Sequence, residues 1–364
     1  MGVTAPAVRP GAGLPPDILS RVNLNARATE PQDSWGWQIA GYLYLGGLGA
    51  GAFAVAVLLD WCGFTLHASS GGAPNGWAWD WPKLLLYWGP LVTAAGASLL
   101  IFHLGKNWHL FLTASRNPRT SWLARGFLIL SGFIVLGLTV LAVAALFPVW
   151  AGRVPALWRF LQALALLLAL GTAVYTGILL KSMKYIPAWN VPHLPFLFLA
   201  SALSTGSMGV LVSATAYRLT VADTNSTAAL IHAIDVSEPL ILVCEAALLL
   251  LYVRRLTKGK PEGVLSAKML LTGSWRYRFW IGVVCAALVW PFVLDAVNLA
   301  VAADALGLAA AATVLTAGFI LRLGVLAIGI KERPPLYALS RWRAGCAPLT
   351  AASGSGPAIR AKRR

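Results

Sequence analysis

Three sets of polar side chains stand out in a sequence that is 58% hydrophobic and 12% charged. The first set holds phenol, imidazole and amide groups: Gln38, Tyr42, His103, His109 and Tyr175. Groups of these types can hydrogen-bond the two carbonyls of a quinone and pass protons to and from it. The second set is Asp235, Glu238, Glu245 and Asp295, with Arg322, all within apolar runs. An isolated charge at mid-membrane costs at least about 2.5 kcal/mol, so these groups must pair inside a bundle or reach water. They form either a structural ion pair, such as Glu245 with Arg322, or a proton path; the sequence alone leaves both open. The third set is basic. Lys106, Arg116, Arg119 and Arg125 are interleaved with Trp108, Phe111 and Trp122 in HLGKNWHLFLTASRNPRTSWLARG. Such a stretch obeys membrane topology and can also orient an acidic partner.

The elements that must position these groups are transmembrane helices. Mean hydropathy is +0.70, and soluble domains carry about 25% charged residues, twice the proportion here. The stretch 35–61, WGWQIAGYLYLGGLGAGAFAVAVLLDW, has tryptophans at both ends and about twenty apolar residues between them, enough for a ~30 Å hydrocarbon core. Gly41, Gly46, Gly47, Gly49 and Gly51 crowd it. They suit either a close helix seam or a slot for a flat ligand tipped by Tyr42, which shares a face with Gly46 and Gly49. Further spans are expected at 83–103, 122–147, 156–180, 195–217, 228–253, 278–300 and 306–330. The expected architecture is therefore an all-α integral membrane bundle of about eight helices over 35–333, between a disordered arm at 1–34 and a basic tail at 334–364. Residues 1–34 contain no apolar signal-peptide core.

Eight spans put both termini on one side of the membrane. Of 29 Lys and Arg residues, 24 then fall on that side, four on the other, and Arg322 inside the last span. The positive-inside rule makes that side the cytoplasm of a cell (inner) membrane. The net charge of +16 is mostly this bias, and nothing argues for nucleic acid as a partner. Asp235, Glu238 and Glu245 fall within about an 80° sector of one helix. The five histidines do not supply two facing axial pairs: His67 and His193 are in loops, His103 and His109 lie at and beyond a span end, and only His232 is inside a span. Two bis-histidine haems are not expected. No CxxC pair occurs among Cys62, Cys244, Cys285 and Cys346, so neither an iron–sulfur cluster nor another metal site is signalled in this chain.

Topology brings Gln38, Tyr42, His103 and Tyr175 to one membrane depth. The segments WGWQIAGYLYLGGLGAG, HLGK, NPRTSWLARG, GTAVYTGILL and PFLFLASALSTG resemble the NrfD/PsrC family, polysulfide reductase-like membrane anchors, over most of residues 35–255. The resemblance implies a haem-free bundle of about eight helices. It implies electron exchange between the quinone pool (menaquinone or ubiquinone) and a four-cluster ferredoxin-like iron–sulfur subunit, joined to a molybdopterin catalytic subunit. Tyr175 matches the family tyrosine that hydrogen-bonds quinone, and His103 matches the quinone-site histidine of related anchors. Tyr42 stands where some members have histidine, and His109 where some have arginine. Such a protein would be a subunit of an oxidoreductase, not catalytic alone, in contact with membrane lipid. The rival expectations are an ion- or proton-translocating transporter built on the acids, and a purely structural tether.

Overall fold

Runs of apolar residues with tryptophan at their ends become long helices packed side by side. The computed structural model describes residues 32, 35–66, 80–104, 122–220, 225–301 and 303–331. The helices are α1 (Trp37–Trp61), α2 (Trp81–Leu86), α3 (Gly89–Leu104), α4 (Trp122–Leu146), α5 (Pro148–Arg153), α6 (Pro155–Lys181), α7 (Leu194–Thr220), α8 (Asn225–Thr257) and α9 (Pro261–Leu271). A π-helical stretch, Arg278–Val289, then runs into α10 (Trp290–Val301), and α11 (Asp304–Ala327) follows. Among the described residues, seven helical segments are long and apolar enough to cross a membrane. The remaining expected span, 83–103, is divided between α2 and α3.

Proline chemistry explains that division. Pro90 lacks an N–H, and its ring would meet the carbonyl of Leu86 in a continuous helix, so α2 stops and α3 starts at Gly89. The change from π to α winding likewise falls at Trp290–Pro291, where a ladder donor is missing. Pro239 lies inside α8 and leaves the backbone carbonyl of Asp235 without its usual donor.

Successive spans alternate in direction, so the bundle has a near end, where α1 begins, and a far end. At the near end Trp189 donates from Nε1 to the Val325 carbonyl at 2.8 Å, and Tyr252 donates to the Ala188 carbonyl at 3.0 Å. Gln32 lies within the stretch expected to be a disordered arm, yet it is buried and donates from Nε2 to the Leu326 carbonyl at 3.1 Å. The far end is tied by Asp60 and Gln162. Asp60 accepts from Lys83 at 3.3 Å, from Tyr87 at 2.9 Å and from Gln162 Nε2 at 2.9 Å. Trp61 donates to Gln162 Oε1 at 2.9 Å.

α1 and α7 form the centre, and their glycines decide how. A Cβ on Gly51 would strike the Ala202 carbonyl, and one on Gly206 would strike the backbone of Gly51 and Ala52. The two helices therefore touch backbone to backbone, as small residues permit in a membrane. Gly49 meets α3 at Gly89 and Thr93 in the same way. Outer faces of α4, α6 and α8 expose Val135, Leu167 and Leu240, each about two-thirds exposed, as helices facing lipid should.

Candidate quinone and proton site

α1 presents Gln38 and Tyr42 one helical turn apart at the near end, so both lie on one face. Tyr42 is 3% exposed, and Tyr175 on α6 is 4% exposed. The two phenols are electrostatic neighbours. Each is surrounded by apolar helix, yet among the described residues neither hydroxyl makes a hydrogen bond. Two phenol donors side by side suit a ligand with two carbonyls. Tyr175 lies flat against Gly126 of α4, where a Cβ would collide with the ring. The third span thus joins the expected first, second and fourth in lining this region. Gln38 is half-buried and engaged in other interactions.

The expected glycine slot needs correction. Gly49 is filled by Gly89 and Thr93, and Gly47 by the Arg322 guanidinium, whose Nη2 would lie 2.7 Å from an added Cβ. Gly46 alone of the three has open space beside it. Close packing of α3 and the long reach of Arg322 use the room that the sequence suggested for a ring.

His103 is the penultimate residue of α3; its side chain lies outside the described residues, as do His109, Lys106, Arg116 and Arg119. Arg125 is in the first turn of α4, with its guanidinium 4.6 Å from the Trp122 ring centre. That places a basic, aromatic surface at the near end, on the same helix that carries Gly126.

The second set of residues forms a polar line between α7, α8, α10 and α11. At its far end Arg218 pairs with Asp304. Asn298 Nδ2 donates to Asp235 Oδ2 at 3.0 Å, and Asn298 Oδ1 accepts from the Ala303 N–H at 2.9 Å. Asp295 is fully buried and neighbours Asp235. Glu238, also fully buried, accepts from Ser204 at 2.7 Å and from Ser207. Glu245 lies seven residues, about 10 Å, further along α8, next to Ser201 and Ser204.

The line ends on Arg322, which is 1% exposed. Its Nε donates to the Leu43 carbonyl at 3.2 Å, and its Nη1 to Ser201 Oγ at 3.1 Å and the Gly318 carbonyl at 3.0 Å. Tyr44 and Phe198 flank it at 5.6 and 5.5 Å. No direct Glu245–Arg322 salt bridge forms, contrary to that expectation. Backbone carbonyls of α1 and α11 hold the guanidinium, and Ser201 receives its remaining bond. The positive charge consequently sits against the Leu43 carbonyl of α1 and beside Tyr44.

Sequence reasoning missed Ser201, Ser204 and Ser207, whose offsets of three residues are a recognisable helical stripe. It also missed Gly126, which no local signal distinguishes from other helix glycines. Among the described residues no group of three or more His, Cys, Asp or Glu side chains is arranged to hold a metal ion.

Residues 25–332 match the model of a family described as NrfD, polysulphide reductase. The protein is 30% identical over 286 residues to a subunit of the polysulfide reductase of Wolinella succinogenes, covering 72% of this sequence and 82% of the relative. It is 29% identical over 277 residues to protein NrfD of Escherichia coli, covering 71% of this sequence and 83% of that protein. A NrfD homolog of Haemophilus influenzae is 25% identical over 286 residues, covering 73% of this sequence and 84% of the relative.

Proposed function

The chain belongs to the NrfD, polysulphide reductase family, a multi-pass membrane subunit of a redox complex, and from that premise we propose that it exchanges electrons between membrane quinone and a docked iron–sulfur subunit. The observation that carries this reading is the pair of buried phenols, Tyr42 and Tyr175, with no hydrogen bond among the described residues. A quinone, when bound, supplies the two-electron, two-proton chemistry. Tyr42 and Tyr175 would hold its carbonyls and fix its ring, with His103 as a further donor from the end of α3. The apolar walls keep water out, which strengthens these hydrogen bonds. Arg322 places a fixed positive charge by Leu43, favouring negative charge that develops beside α1.

The redox partner docks at the near end on Lys106, Arg116, Arg119 and Arg125, with a molybdopterin catalytic subunit beyond it. The basic asymmetry of the loops supports a cytoplasmic position for that end and both termini in an inner membrane. Purification of the tagged protein from its native membranes tests the assembly. An iron–sulfur protein should accompany it, and charge reversal by Arg116→Glu with Arg119→Glu should lower its recovery several-fold, more so at high salt. Recovery with no redox protein, or unchanged recovery after charge reversal, would contradict the proposal.

A second reading is favoured by one feature of the acid line. Both carboxylate oxygens of Asp295, and Oδ1 of Asp235, are buried and meet no protein donor among the described residues. A carboxylate so placed requires a proton or another charge. Asp235, Asp295, Glu238 and Glu245 then serve as proton-exchanging steps from the far end to Arg322, in support of quinone chemistry or of translocation across the bilayer.

A further inference from the structure

A cavity of about 180 Å³ opens at the near end, away from the phenol pair and the acid line. Three cations from separate segments converge on it: Lys184 from the α6–α7 connection, Arg255 from the last turn of α8, and Lys260 immediately before α9. Asn190 adds an amide, while Pro187 and Leu256 give apolar wall. Among the described residues no acidic side chain lines the cavity, so its field is positive.

The outer face of α8 shows what approaches it. Val236, Leu240, Val243 and Leu251 are all exposed, at 55%, 69%, 55% and 42%. These residues recur at three- to four-residue intervals, or small multiples of them, and Arg255 lies one turn beyond Leu251 at the edge of that face. An exposed apolar face therefore reaches to within one turn of the basic mouth. The cavity lies where the membrane-crossing parts of α6 and α8 end, which is the depth of lipid headgroups. Basic pockets between helices at that depth are suited to phosphate-bearing headgroups.

We propose that the cavity lined by Lys184, Arg255 and Lys260 binds the phosphate of an anionic phospholipid whose acyl chains lie along the exposed face of α8. Phosphate recognition alone would equally admit a free phosphate. The adjoining apolar face commits the site to the lipid, because a free anion makes no use of it.

The test uses the full-length protein in detergent, stripped of lipid and titrated with phosphatidylglycerol, phosphatidylcholine or inorganic phosphate. Binding is followed by native mass spectrometry and by the thermal unfolding midpoint. The wild type should bind phosphatidylglycerol in preference to phosphatidylcholine, with a matching rise in midpoint. A basic residue at a membrane surface contributes about fivefold in affinity. The Lys184→Gln, Arg255→Gln, Lys260→Gln variant should therefore lose roughly a hundredfold of that preference, and each single variant a part of it. All three side chains are exposed, so the unliganded variant should still fold. Arg153→Gln with Arg159→Gln, at the far end, should leave the preference intact. The proposal is overturned if the triple variant keeps the preference, or if inorganic phosphate gives the same protection. It is also overturned if, in the purified complex, the triple variant loses a protein subunit while still binding the lipid.

Discussion

Arg322→Leu is expected to destabilise the folded protein by about 3–5 kcal/mol, the range for breaking a buried charged cluster by removing one partner. Three hydrogen bonds, to the Leu43 carbonyl, the Gly318 carbonyl and Ser201, disappear together. So does the contact of the guanidinium with Tyr44 and Phe198. Nothing in leucine can satisfy the polar groups left behind, and water has no easy route to a residue 1% exposed. Glu245 also loses the cation that neighbours it. Thermal unfolding of purified protein in detergent should show a large fall in midpoint for Arg322→Leu. A smaller fall is expected for Arg322→Lys, whose ammonium keeps the charge but cannot reach three acceptors on three helices. Partial rescue of Arg322→Leu by Glu245→Gln would identify the stranded carboxylate as part of the cost. An unchanged midpoint in Arg322→Leu would mean that the guanidinium does not hold α1, α7 and α11 together.

Quinone-linked turnover should fall steeply in the Tyr42→Phe, Tyr175→Phe double variant, with fold and assembly retained. Removing one hydrogen bond to a neutral ligand costs about 0.5–1.5 kcal/mol, a several-fold loss in affinity. Removing two compounds this, and loss of a proton-passing group contributes typically about a hundredfold or more in rate. Phenylalanine preserves the ring that rests on Gly126, and among the described residues neither hydroxyl has a protein partner to strand, so stability should hardly change. Each single variant should show a lesser loss. Electron flow from the docked partner to a soluble artificial acceptor should survive, which separates a damaged ligand site from a damaged complex. Wild-type turnover in the double variant would place the quinone elsewhere, with the acid line the next region to search.

Span positions were legible because each is a long apolar run bounded by tryptophan, proline or basic residues, and the structure places helices close to those limits. The break inside 83–103 had a signal in Pro90, but its weight depended on the backbone around it. Side-chain groupings were harder to foresee. Arg322 meets Ser201 across 121 residues, and Gln162 meets Asp60 across 102. Helical periodicity says which residues share a face, not which face another helix will cover. The glycines of α1 illustrate this: their number signalled close approach, but only packing shows that Gly51 receives a helix backbone and Gly47 a guanidinium. Tyr42 and Tyr175 could be brought to one depth from topology, whereas the stacking of Tyr175 on Gly126 belongs to the tertiary structure.

Photoaffinity labelling of the assembled complex with an azido-quinone, followed by peptide mapping, tests the central claim most directly. Labelling should concentrate on α1 around Tyr42, on α6 around Tyr175 and on the start of α4 around Gly126, and excess unmodified quinone should suppress it. The Tyr42→Phe, Tyr175→Phe variant should lose this labelling in proportion to its loss of turnover. Competable labelling confined to other helices, undiminished in that variant, would contradict a quinone site between these phenols.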